Sequence, residues 1–153
     1  MYSKRCSCIF VLSIGLMSVT ISAAVDPIRP NQKLTPGATV TVTLQQVCTP
    51  GYTKTVRHVP ASLSNAVYKE YGLVRKPHGY EIDHLISLEL GGSNDIKNLW
   101  PQTYHGPWNA TMKDQLENYL HRQVCTGQMS LLAPQMAIRT DWIATYQKAG
   151  LAQ

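Results

Sequence analysis

Asp83 and His84 are adjacent in a stretch that continues through Gly91-Gly92, Asn94 and Asn98-Leu99 to Asn109, at the polar start of a helical pattern. An imidazole with an ordinary pKa near 6.5 is matched to act as a base at neutral pH. A carboxylate and amide oxygens, completed by waters, suit a hard cation such as Mg²⁺, with Mn²⁺ as a second candidate. One His and no thiolate make Zn²⁺ a poorer match. An isolated Asp-His pair is ordinarily surface or hydrogen-bonded structure; here the accompanying Gly-Gly and Asn residues give it weight.

The run from Glu81 to Gln102, EIDHLISLELGGSNDIKNLWPQ, resembles the HNH endonuclease signature of the ββα-metal fold, the fold shared with nuclease colicins. The similarity spans residues 80–113, and its specific part is Asp-His joined to Gly-Gly and to Asn98-Leu99, 14 residues after the His. The resemblance implies that His84 is the general base that deprotonates water and that Asp83 is a metal ligand. It implies that Asn98 fixes the loop and orients the His, and that Asn109, 11 residues beyond Asn98, is the second ligand. His105 is the rival second ligand, in a loop before the helix. The implied chemistry is sound for a phosphodiester, whose anion repels nucleophiles and whose alkoxide leaves poorly, so that a base and a concentrated positive charge are both needed. Many HNH proteins carry Cys-x-x-Cys pairs for a structural zinc, and this chain has none.

Neighbours on a regular strand point to opposite faces, so a strand end or bulge is needed for Asp83 and His84 to converge. Glu81 shares a face with Asp83 and is a candidate outer partner or alternative ligand. Lys113, one turn beyond Asn109, is a candidate phosphate contact or a solvated Lys. Arg57 and Lys54 are further phosphate candidates. His121 reads as solvated on the polar side of a helix, and His58 and His78 carry no motif.

The elements that must position these residues follow from pattern. Thr39 to Leu44 alternates at period two and predicts a strand, ended by the Pro50-Gly51 turn region. Ser62 or Ser64 can cap a helix over 65–71 that stops at Gly72. Residues 79–88 predict a strand, 91–95 a loop and 96–100 a second strand ended by Pro101, together a β-hairpin with a long connection. Met112, Leu116, Tyr119, Leu120 and Val124 form the stripe of an amphipathic helix over 108–125, and Ser130 can cap a last helix to 147. The expected fold is one α+β domain, a ββα-metal core with flanking helices and an N-terminal strand.

The 153 residues suit a single domain. Lys4 and Arg5 precede an apolar run that ends in Ser22-Ala23-Ala24, which predicts a signal peptide over 1–24, a tether over 25–37 and the nuclease domain over 38–153. Cleavage after Ala24 leaves 12 basic and nine acidic residues, a charge of +3 that permits nucleic-acid binding without demanding it. Cys48 and Cys125 remain, and an even pair in an oxidising compartment is most simply a disulfide. The expected protein is a bacterial periplasmic or secreted endonuclease without stable membrane association. It would act on DNA, with RNA as a further substrate, and without a module to read base edges. The rival is a non-catalytic nucleic-acid or protein binding module on the same scaffold.

Overall fold

The structure is a computed structural model describing residues 28–151, and the signal peptide expected over 1–24 lies outside them. Two short helices, α1 (Leu44–Val47) and α2 (Tyr52–Val56), precede α3 (Ala61–Glu70). Two antiparallel strands, β1 (Tyr80–His84) and β2 (Leu99–Thr103), are followed by α4 (Ala110–Cys125) and α5 (Leu132–Lys148). The mixture of helices with one small sheet is an α+β arrangement. The core gathers Val67 of α3 and its C-cap Tyr71, Leu85, Ile86, Leu99 and Trp100 around the strands, Leu116, Leu120 and Val124 of α4, and Ile138, Trp142 and Tyr146 of α5.

β1 and β2 pair in regular register, Glu81 opposite Gln102, Asp83 opposite Trp100 and His84 opposite Leu99. β2 contains Pro101, where the expected strand should have ended; in a two-stranded sheet both strands are edges, and an edge tolerates a missing donor. Residues 96–98 are a 3₁₀ turn instead of strand, because Asp95 Oδ1 accepts from Lys97 N at 2.8 Å and caps it.

The strand expected over 39–44 is absent among the described residues. Thr39 makes one isolated antiparallel bridge to Gly92, and Thr43 and Gln46 form a reciprocal capping box that starts α1. Val40 and Leu44 are 45% and 50% exposed, so the alternation does not mark a buried face. The helix expected over 65–71 begins at Ala61 with Pro60 as its N-cap, and Ser62 and Ser64 lie inside it; Val67 and Tyr71 are buried. The last helix breaks at Asp141, whose carboxylate accepts from Ile143 N and Ala144 N and so caps a second segment, and Ser130 does not cap its start.

The described part of the expected tether is fastened to the core. Thr35 donates to Leu99 O at 2.8 Å and meets the Tyr71 hydroxyl at 2.7 Å, while Trp142 Nε1 donates to Ile28 O at 2.9 Å. The disulfide expected between Cys48 and Cys125 is present, with Cα atoms 5.6 Å apart. It ties the C-cap of α1 to the last residue of α4.

Candidate active site

The loop between the strands is built around Asn98. Its Oδ1 accepts from Ile86 N at 3.0 Å, and its Nδ2 donates to Ile86 O at 2.9 Å and Ser93 O at 2.8 Å. These side-chain bonds of buried Asn98 all lie inside the loop, and none reaches His84. The Gly-Gly pair serves the same closure. Gly91 adopts φ +79°, and a Cβ on Gly92 would lie 1.7 Å from Ile86 O, so only glycine fits there.

The residue that orients His84 is Asn94. His84 Nε2 donates to Asn94 Oδ1 at 3.1 Å. Asn94 cannot turn over, because its Nδ2 donates to Val56 O at 2.8 Å and its Oδ1 also accepts from His58 N at 3.0 Å. The imidazole is thereby held in the Nε2–H tautomer, with Nδ1 left as its basic nitrogen. Burial lowers the pKa of His84 and the nearby Arg57 and Lys113 charges lower it further, against the Asn94 bond and Asp83, which raise it. His84 is 2% exposed. It ends β1, and as strand geometry requires, its side chain goes to Asn94 while that of Asp83 goes to α4; no bulge brings the two together.

Asp83 meets Lys113. The Lys113 ammonium is 2.7 Å from Asp83 Oδ2, an ion pair off the axis of an aligned hydrogen bond; it donates to His84 O at 2.7 Å and contacts Glu117 one turn along α4. Lys113, expected as a solvated or phosphate-touching side chain, is 1% exposed. Burial alone would lower its pKa, but the Asp83 and Glu117 carboxylates outweigh this and hold it charged. Burial pushes Glu117 well above the ordinary carboxylate range, with Asp83 adding to the shift and Lys113 opposing it.

A divalent cation does not fit the expected pair of ligands. Asp83 is already neutralised by a buried ammonium. Asn109 is the N-cap of α4, its Oδ1 accepting from Met112 N at 3.2 Å and its Nδ2 donating to Gly106 O at 2.9 Å. Among the described residues, the three His, Cys, Asp or Glu ligand atoms that lie within 4.8 Å of one another belong to Cys48, His121 and Cys125. That group could hold a metal ion only with the cysteines reduced, since here the two sulfurs are bonded to each other. His121, expected to be solvated, donates from Nε2 to Val47 O at 2.9 Å and sits 3.8 Å from Glu89.

Beside β1 opens a cleft of about 940 Å³ lined by Arg57, Arg75, Lys76, His78 and His105 against one acid, Glu81. Tyr68, Tyr80 and Tyr104 line it as well. Burial raises the pKa of Glu81, and the Asp83 and Asp114 carboxylates raise it further, opposed by a Tyr104 hydrogen bond and Lys113. The cleft reaches Ile82, and His84, Asp83, Asn98 and Asn109 are not among its walls. Arg57 is the link: it lines the cleft, and its chain neighbours Val56 and His58 hold Asn94, the partner of His84. Comparison with known proteins finds no matching family model, no matching curated protein and no matching solved structure.

Asn94 carries no role in the sequence pattern, and Lys113 reads there as a phosphate contact or a solvated side chain. A signal for the burial of Lys113 was present. Residues 113 and 117 fall on the same helical face as Leu116, Leu120 and Val124, so an i,i+4 Lys-Glu pair interrupts an apolar stripe, where an unpaired charge could not stay.

Proposed function

We propose that this chain is an exported nuclease that hydrolyses phosphodiester bonds of DNA, and of RNA as a further substrate, with little sequence specificity, His84 taking the proton of the attacking water. The observation that carries this reading is the segment 56–58, which puts Arg57 in a cation-rich cleft and fixes Asn94, the partner of the His84 imidazole. A polyanion is drawn to a groove in which cations outnumber acids, and the exposed Tyr104 ring offers a stacking surface that accepts any base. A lowered pKa keeps His84 neutral, the form that accepts a proton, and the Asn94 bond leaves Nδ1 to accept it. Export is supported by the disulfide, which suits an oxidising compartment. The Mg²⁺ expected at Asp83 and Asn109 has no support in the arrangement of those two side chains, and no step is assigned to it.

The second reading, a binding module without catalysis, is favoured by the burial of His84, which little solvent reaches. The two separate on supercoiled plasmid and labelled single strands, with Mg²⁺ present. Wild-type protein is expected to nick both; His84→Ala is expected to bind them and to cleave roughly 10² to 10⁴ times more slowly, the range for loss of a general base. Arg57→Ala is expected to weaken binding several-fold. Wild-type binding without cleavage selects the binding module.

A further inference from the structure

Lys113 lies at the bottom of the site with three oxygens around its ammonium: Asp83 Oδ2, Glu117 Oε1 and the carbonyl of His84. Two carboxylates and a backbone carbonyl are the donors that hard divalent cations take from proteins. An ammonium carries three N–H donors and a single fixed charge, and it can meet three such oxygens without a metal. The contacts hold the end of β1 from two sides, by the Asp83 side chain and by the His84 main chain, to one turn of α4.

We infer that the Lys113 ammonium stands in the place of a divalent cation, a positioning residue that fixes His84 and neutralises Asp83, so that the site works without chelatable metal. The ammonium touches no substrate, being buried; it acts through the strand end that carries the imidazole. Removing it would leave two carboxylates facing a vacated space, a costly arrangement that recruits a cation or a proton. The consequence for cleavage rests on the nuclease reading above, whereas the exchange of ammonium for metal can be measured without it.

The test uses full-length oxidised protein dialysed against EDTA, with Mn²⁺ as the probe. Wild-type melting temperature is expected to stay within about 1 °C on adding millimolar Mn²⁺, and its cleavage rate to be unchanged by EDTA. Lys113→Ala is expected to melt lower and to regain roughly 5–10 °C with Mn²⁺ in large excess over its dissociation constant. The gain should vanish when Glu117→Gln is added, and cleavage by Lys113→Ala should recover with Mn²⁺, which a merely structural loss would not do. Wild-type stabilisation by Mn²⁺ that is lost in Asp83→Asn would overturn the inference, as would Lys113→Ala that folds but gains nothing from the metal. If Lys113→Ala does not fold, the wild-type comparison decides alone. A wild type that cleaves nothing with or without Mn²⁺ removes the nuclease reading, and the thermal shifts still decide the role of Lys113.

Discussion

Gln102 shows how residues around the site differ in their hold on the fold. It is 0% exposed, it stands opposite Glu81 on the sheet, and neither its Oε1 nor its Nε2 has a hydrogen-bond partner. A buried amide left unpaired costs more than an apolar group of the same shape. Gln102→Met is therefore expected to raise stability by about 1 kcal/mol in chemical denaturation; a loss of that size would show that the amide has a partner in solution. Lys113 is the opposite case, a buried charge with every contact in place, so that any substitution leaves carboxylates behind. From the sequence, His84 and Asn98 stood out only through the resemblance of residues 81–102 to a known nuclease signature. Asn94 did not, because its amide is locked by Val56 and His58, which are distant in the chain.

At the scale of elements, what was legible depended on whether local pattern and tertiary packing agree. α4 was, since its apolar stripe and its Asn109 cap point to the same helix. The strand expected at residues 39–44 failed because the side chains of Thr43 and Gln46 offer the backbone a helical start, and only Gly92 is available to pair with Thr39. The break in α5 was hidden because Asp141 sits in an otherwise helical pattern and acts as a cap only through its own extended backbone. The Gly91-Gly92 loop is the element on which the site depends most. With an added methyl 1.7 Å from Ile86 O, Gly92→Ala must displace the backbone that Asn98 clamps, and the expected loss is about 3 kcal/mol by urea unfolding. Wild-type stability in this variant would mean that the loop opens freely, and the orientation of His84 through Asn94 would lose its basis.

For the whole molecule, the Cys48–Cys125 bond closes 77 residues, a span that includes the cleft, both strands and all of α4. In the chain-entropy model such a bond stabilises by about 4.5 kcal/mol, so the site is fixed at its base by a covalent link and at its centre by Lys113. The segment before α1 adds a third tie, from Ile28 and Thr35 to α5, the C-cap of α3 and β2. Among the described residues no helix is long and apolar enough to cross a membrane. The lowered pKa of His84 acts on this whole: the unfolded chain takes the proton more readily than the folded one, so stability is complete above the ordinary pKa near 6.5 and is lost as pH falls through the folded value. Cleavage should follow the same group. The most direct measurement is the pH dependence of the cleavage rate at saturating nucleic acid for wild type and His84→Ala, with the folded fraction monitored in parallel. The expected wild-type profile rises with pH, has its midpoint below 6.5 and then levels, and the variant lacks that limb; a limb retained by the variant, or a variant that cleaves as fast as wild type, would contradict His84 as the base.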